Sequence, residues 1–499
     1  LESTRADIRV FKIDESRVNI ETNPRINEEL RDYFSAYADN YKFMPAVKSG
    51  NWDGKIRFYS RNELPMGLAI EDLEVFAKGG NYTTYYDFDP EPAEIDENEW
   101  REFVKLLKIP MEIRDYQIDA ARYSLTQQKQ CIKLPTGSGK SLVMYLICRW
   151  MQLQDKKVLV IVPRQSLVEQ LYSDFIDYGW DSIWNNVHKI YSGKEKTYTK
   201  PVIVTTWQSM TAKTPKEIYE IFDCLLIDEC HGASAKSIQD IAKKCSNAEW
   251  RIGLSGTYHD NKANQMSVTG ALGPLKIYAD YQKLKKAGYL AELNIKNLIL
   301  QYPRELRRIN FETNKMEWNK EVNFLNTLEA RNVFLTKLAK NLKNNTFILF
   351  TKRDHGAELV RLLRGSGKRV YYIDGTVKVE EREKIRKSLE IQNDIVLVAS
   401  FGTFKMGVNV KNVHNVIFAS NYKSKITVVQ SIGRGLRALE GKKEVVIFDI
   451  VDNLTHQYIE NEIKKTYFNH AMRQYGVRKK IYKKEGFDKI SQTTITLGG

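Results

Sequence analysis

Apolar and polar positions follow one rhythm through two long stretches of the chain. Between about 100 and 285, short apolar runs (KVLVIVP, PVIVTT, CLLIDE, WRIGLSGT) alternate with segments of helical periodicity. Brief aliphatic and β-branched runs read as strands covered on both faces, and the 3.6-period segments between them as crossover helices. The pattern predicts βαβ units on a parallel sheet. It returns after residue 330 in NTFILFT, RVYYIDG, DIVLVAS, HNVIFAS and KEVVIFDI. Residues 1–88 show shorter strand-like runs around one polar helix, INEELRDYFSAYADN, and form an α+β accessory domain. The acidic, proline-containing DFDPEPAEIDENEW breaks the pattern, so 89–110 reads as a linker with a lead-in helix. The first α/β block is 111–285 and the second, with its own linker (286–330), is 286–455; residues 456–499 read as basic and helical.

Composition narrows the partners. With 499 residues the chain is long enough for several cores, and no run approaches the roughly 18 apolar residues of a membrane span. The opening LESTRADIRV has no apolar segment after its charges, so no signal peptide is expected, and LESTR is read as an expression scar. Five cysteines without CxxC spacing and seven histidines argue against a zinc module and for a reducing cytoplasm. A net charge of +15 makes a polyanion, nucleic acid first, the expected partner.

Candidate chemistry starts at CIKLPTGSGKSLVM, a strand, a glycine turn and a helix. Glycines at 137 and 139 let backbone N–H groups curl around phosphate oxygens, Lys140 supplies charge to the β- and γ-phosphates, and Ser141 ligates Mg²⁺. Leu134 stands where the general pattern has its first glycine. In CLLIDECHGAS, Asp228 and Glu229 end a buried strand, at the edge of a parallel sheet where ligands bind. Asp228 would share the Mg²⁺ with Ser141, and Glu229 would orient or deprotonate the attacking water. Taken alone, DECH reads equally well as a solvated strand end; a phosphate loop on a preceding strand favours catalysis. His231 is either a relay or a structural hydrogen-bond partner.

Taken in order, these motifs resemble a superfamily 2 helicase of the DExH type, across about 111–452. RDYQ resembles the adenine-reading Q motif, with Gln117 on the base and Arg114 nearby. LPTGSGKS resembles motif I, giving Pro135, Thr136, Gly137, Ser138, Gly139, Lys140 and Ser141 to the nucleotide. VPRQSLVEQ resembles motif Ia, TTWQSM the next strand-contacting motif, and DECH and LSGT motifs II and III. His231, Ser255 and Thr257 then couple the nucleotide site to the strand. LFTKRDHGAEL resembles motif IV and SFGTFKMGVNV motif V, with Gly407 and Asn409 toward the nucleotide; Ser400 and Asn409 replace the Thr and Asp of many relatives. QSIGRGLR resembles motif VI, in which Gln430 couples and Arg434 and Arg437 act as the arginine finger on the transferred phosphoryl. The whole chain, including NWDGKIRFYSRNELPMGL, is similar to the bacteriophage UvsW-type recombination helicases.

The resemblance implies two RecA-like parallel-sheet domains in tandem, with a small α+β N-terminal domain and a basic helical C-terminal extension. It implies ATP with Mg²⁺ held between the lobes, and 3′–5′ remodelling of branched DNA: Holliday junctions, stalled forks and RNA–DNA hybrids, in recombination, repair and replication. Partners would be branched and single-stranded DNA, with single-strand-binding and recombination proteins, for a monomer in the cytoplasm of a phage-infected host. The alternatives are a restriction-type translocase that moves on duplex without separating it, and an annealing protein gated by ATP.

Strand contacts are expected from Arg164 and Gln165, Thr206 and Trp207 (or else a core aromatic), and Thr351 and Lys352. In NWDGKIRFYSR, Asp53-Gly54 signals a hairpin turn, and a period of two puts Lys55, Arg57, Tyr59 and Arg61 on one face. That face suits a DNA backbone or an unpaired base, or is simply solvated. Near the C-terminus, Arg478, Lys479, Lys480, Lys483 and Lys484 flank Tyr482 as a clamp or a solvated tail.

Overall fold

Two seven-stranded parallel sheets, one in each half of the chain, carry the fold. The computed structural model describes residues 6–89, 94–135, 137–210, 213–231, 235–257, 261–308, 317–407, 410, 412–422, 428, 432–433, 444–460 and 462–497. The chain divides into two compact units, one running to Ala279 apart from residues 136–138, the other holding Asp280–Gly499.

In the first unit the strand order is Leu275–Ile277, Lys129–Lys133, Trp250–Ser255, Cys224–Asp228, Val158–Val162, Val202–Thr206 and Val187–Ile190. Every residue of Val158–Val162 and Val202–Thr206 is buried, as strands sandwiched between helices require. Register decides where chemistry can gather: Asp228 pairs with Leu254, and Ser255 with Lys133. The loops that follow these three strands therefore leave from one edge of the sheet.

The N-terminal module adds a four-stranded sheet in the order Glu63–Pro65, Arg17–Thr22, Ile8–Asp14 and Thr84–Tyr86. The polar helix expected over INEELRDYFSAYADN is shorter, Pro24–Tyr33, capped by Asn23 on Ile26 N–H at 3.0 Å. Phe34 then drops into the module's core and Ser35–Tyr37 becomes a strand paired with Lys55–Arg57. Tertiary pairing overrides the helical pattern there. The module sits directly on the first sheet's unit. Gly67 faces the helix Lys262–Leu272 so closely that a Cβ would lie 1.9 Å from Thr269 O, and Glu15 pairs with Lys129 at 2.9 Å.

In the second unit the order is Arg369–Ile373, Ile395–Ser400, Thr346–Phe350, Asn415–Phe418, Glu444–Asn453, Glu292–Gln301 and Lys489–Thr496. The loosened stretch after residue 285 thus contributes a ten-residue strand, Glu292–Gln301, paired on both sides. Beyond residue 455 lie a hairpin (His456–Glu460 with Ile463–Tyr467), the basic helix His470–Lys484 and an edge strand. Arg478 and Tyr482 of that helix are not a surface clamp. Both are buried, and both bond Asp449, with Arg478 Nη2 to Oδ1 at 2.9 Å and the Tyr482 hydroxyl to Oδ2 at 2.8 Å. Lys479, Lys480, Lys483 and Lys484 are exposed. Among the described residues no helix is long and apolar enough to cross a membrane, and all five cysteines are free and buried.

Buried polar chemistry also ties the second unit together. The Arg331 guanidinium grips Asp452 (Nε–Oδ1 2.7 Å) beside His355, whose Nε2 meets Asn332 Oδ1 at 3.1 Å. Burial, then the charge of Arg331, pushes the His355 imidazole down to about 3. The folded state therefore keeps this ring neutral while the unfolded chain protonates it near 6.5, so stability is full above pH 6.5 and falls as pH drops toward 3. From pH 6.5 to 5 the loss is about 2 kcal/mol. Urea titrations should show that loss in the second unit and a flatter response in His355→Gln; equal slopes would reject the buried neutral ring.

Candidate functional site

The loop after Lys129–Lys133 turns on two left-handed glycines, Gly137 (φ +89°) and Gly139 (φ +81°). Gly139 is the N-cap of the helix Lys140–Leu153, and a Cβ on it would sit 2.2 Å from Gln117 Nε2. Glycine is thus required there by both backbone and space. Gln117 also accepts Arg114 N–H at 3.0 Å, so the two residues expected at the adenine end are joined to each other, and Gln117 lies against the glycine loop. Pro135 and Ser138 lie in that loop, while Thr136 is outside the described residues.

Lys140 opens the helix. Its ammonium lies 3.6 Å from Glu229 Oε1 and 3.5 Å from Leu134 O. Ser141 Oγ meets the Tyr178 hydroxyl at 2.7 Å. Tyr178 carries no motif; it caps the helix Gln165–Asp177 and packs edge-on against Tyr145, which also meets Phe175 and Trp180.

Across the sheet edge, Asp228 ends its strand with Oδ1 sealed from solvent and without a hydrogen-bond partner among the described residues. Burial, then the charge of Glu229, raises its carboxyl to about 7. Lys140 offsets that rise only in part, and a divalent cation would supply the remaining positive charge. Among the described residues no three or more His, Cys, Asp or Glu gather to hold a metal. Mg²⁺ suits such a place, taking one or two carboxylates and filling its octahedron with phosphate oxygens and waters. Asp228 and Ser141 therefore fit Mg–ATP.

Glu229 stands at φ +48°, a left-handed conformation that costs a non-glycine residue about 1–2 kcal/mol. The turn swings its carboxylate toward Lys140 on one side and His231 Nδ1, 3.2 Å away, on the other. The same imidazole nitrogen meets Ser255 Oγ, and Nε2 faces Thr257 Oγ1 at 3.3 Å. Lys140, Glu229, His231, Ser255 and Thr257 form one connected array across three strand ends. Strain of this kind persists only where surrounding contacts over-determine it, and such positions cluster at working sites.

The expected strand-contact residues divide. Arg164 and Gln165 are exposed where the helix Gln165–Asp177 begins, and Thr351 and Lys352 are exposed before the helix Arg353–Leu363. Thr206 is buried, its hydroxyl shared with Ser209 Oγ at 3.0 Å, and Trp207 is half-buried against the first unit's core.

The N-terminal face needs correction. Lys55–Arg57 is the whole strand and pairs with Ser35–Tyr37, so Asp53-Gly54 does not join two paired strands. Alternation stops after Arg57. Phe58 and Tyr59 are both buried in the module's core, and Arg61 sits at φ +53° in the tight turn before Glu63. Lys55 is ion-paired with Asp32 and Arg57 with Asp53. Gly407 ends the helix Phe401–Gly407, whereas Asn409, Gln430, Arg434 and Arg437 lie outside the described residues.

Family models match three stretches: "Type III restriction enzyme, res subunit" over 110–260, "DNA helicase UvsW, N-terminal" over 7–87 and "Helicase conserved C-terminal domain" over 330–439. The chain is 34% identical to the ATP-dependent DNA helicase uvsW of Enterobacteria phage T4, over 98% of its own length and 99% of the relative's. The crystal structure of T4 UvsW aligns with a TM-score of 0.51 at 33% identity, covering 99% of this chain and 100% of that one. A fragment of an HsdR subunit of a type I restriction enzyme from Vibrio vulnificus YJ016 aligns at 0.56 with 19% identity, covering 81% and 72% of the two chains, a likeness of fold alone.

Proposed function

Because the chain belongs to the UvsW-like ATP-dependent DNA helicases of superfamily 2, we propose that it remodels branched DNA. Holliday junctions, stalled forks and RNA–DNA hybrids are its substrates, the motor runs 3′ to 5′, and the work belongs to recombination, repair and replication. The observation that carries this reading is the match along nearly the full chain, N-terminal module included, to a phage DNA helicase.

Mg–ATP supplies the phosphoryl group whose loss drives the cycle. Asp228 and Ser141 would hold the cation, and Lys140 would exchange Glu229 for phosphate oxygens. Glu229, released from that ion pair, orients the water and accepts its proton on a carboxylate oxygen. His231, Ser255 and Thr257 carry the change at Glu229 to the ends of neighbouring strands. Arg434 and Arg437 keep the finger role that motif VI assigns them, with Gln430, Gly407 and Asn409 in support. Arg164, Gln165, Thr351 and Lys352 hold backbone phosphates, positioning the strand without reading its sequence.

Strand displacement tests this directly. Forks, four-way junctions and R-loops should come apart only with ATP, and a 3′ tail should support unwinding where a 5′ tail does not. The "res subunit" match over 110–260 favours a second reading, a translocase that tracks duplex without opening it. ATP consumption and triplex displacement without strand separation would establish that reading instead.

A further inference from the structure

The N-terminal module presents a stacked aromatic pair that the nucleotide site does not use. The rings of Tyr37 and Tyr41 lie 4.3 Å apart and within 20° of parallel. Gly54, at φ +81°, backs the inner ring, and a Cβ there would fall 2.4 Å from Tyr41 Cδ2, so the ring packs closely against the turn. That turn is itself fastened, by Asp53 Oδ1 on Lys55 N–H at 2.9 Å and by Trp52 Nε1–H on Lys55 O at 3.0 Å. Tyr37 remains 48% exposed and the neighbouring Phe43 is 74% exposed. The stack is held from behind, and in front Tyr37 is half exposed with Lys55 Nζ 5.7 Å from its ring centre, which joins an aromatic surface to a cation.

Charge around it indicates what it takes. Lys55 and Arg57 answer Asp32 and Asp53, and Asp39 is exposed nearby. Lys42 and Lys48 are exposed with no acidic partner among the described residues, and Lys42 Nζ lies 5.9 Å from the Tyr41 ring centre. A flat ring with cations beside it suits a base flanked by phosphates, since bases stack on aromatic rings irrespective of sequence. The strand Ser35–Tyr37 also leans on the helix Lys262–Leu272, whose Lys262 Nζ is 5.9 Å from the Tyr33 ring centre. That helix is the first element described after Ser255 and Thr257, so the aromatic pair is carried on the unit that holds the nucleotide site.

We propose that Tyr37 and Tyr41 form a stacking platform for an unpaired base of branched DNA, with Lys42 and Lys48 on the adjoining phosphates. The inference rests on the branched-DNA reading and names which part of the module meets the branch. It also transfers the aromatic role expected of Tyr59, which is buried, to a pair whose outer member, Tyr37, is exposed.

The experiment places 2-aminopurine at the unpaired position of a fork and follows its fluorescence and the fork's affinity. The wild-type protein should quench the probe. Tyr37→Ala with Tyr41→Ala should abolish quenching and weaken fork binding about 5- to 150-fold, the value of one stacked base. Tyr37→Trp should restore both, while turnover on saturating single strands stays unchanged in all variants. Lys42→Gln with Lys48→Gln should reduce the dependence of log affinity on log salt by about 0.7 per phosphate released. Intact quenching and affinity within twofold in the double alanine variant would overturn the platform while leaving strand displacement standing. A wild-type protein that neither binds nor opens forks would defeat the branched-DNA reading and the platform with it.

Discussion

Lys140→Ala is expected to lower DNA-stimulated ATP turnover by about 10³-fold or more, with nucleotide-free DNA affinity within about twofold of wild type. One donor aimed at developing charge in a water-poor site is worth about 10²–10³ in rate. Lys140 does more than one such donor, because its ammonium is the charge found within 3.6 Å of Glu229 and counts among those that oppose the rise of Asp228. Removing it strips the phosphates of a cation and leaves two adjacent carboxylates facing each other. DNA affinity should be spared because the residues proposed to contact the strand, the exposed Arg164 and Lys352 among them, lie on other segments. Phosphate release at saturating DNA and fluorescence anisotropy without nucleotide measure the two effects separately. Turnover retained within tenfold would place the phosphate chemistry elsewhere, and equal loss of both properties would make Lys140 a folding residue.

The part of the candidate site that could be recognised in the sequence is the part whose pattern is local. A glycine turn between a strand and a helix can be recognised in thirteen or so consecutive residues, and an acidic pair ending an apolar run marks a sheet edge without knowledge of its neighbours. The structure then brings Lys140, Glu229, His231, Ser255 and Thr257 within reach of one another because their strands are in register. Features that depend on distant partners left no such signal. Lys489–Thr496 is a strand with almost every side chain exposed, held by its ladder to Glu292–Gln301, so hydrophobic patterning had nothing to register. The period-of-two reading failed at Tyr59 because the strand beneath it is only three residues long. Tyr178 reaches Ser141 through an aromatic cluster assembled from separate segments. The left-handed turn at Glu229 is likewise invisible in DECH, although it is what points the carboxylate at Lys140.

Arg331→Met should destabilise the Asp280–Gly499 unit by about 3–5 kcal/mol, the usual consequence of stranding one member of a buried ion pair. Arg331 is 1% exposed, and its guanidinium bonds Asp452 twice (2.7 and 3.0 Å) and Ala419 O once (2.7 Å). Asp452 also accepts the Tyr302 hydroxyl at 2.6 Å and Asn421 Nδ2 at 2.9 Å. Burial by itself would raise the Asp452 carboxyl, but Arg331, Tyr302 and Asn421 outweigh it and hold the group below the usual carboxylate range. Methionine fills much of the volume and removes the charge, leaving the carboxylate with two neutral donors in a dry interior. The pair spans the sheet from the helix Glu329–Asn341 to the strand Glu444–Asn453, so its loss should open that strand to hydrogen exchange first. Adding Asp452→Leu should recover most of the stability, since replacing a whole buried pair by apolar residues is often neutral. Recovery in the double variant marks a charge left unpaired; its failure marks a network whose hydrogen bonds to Tyr302, Asn421 and Ala419 matter as much as the pair. At temperatures below the transition, turnover per folded molecule should stay near wild type. A selective loss of turnover in a fully folded Arg331→Met protein would instead make this network part of the motor rather than of its frame.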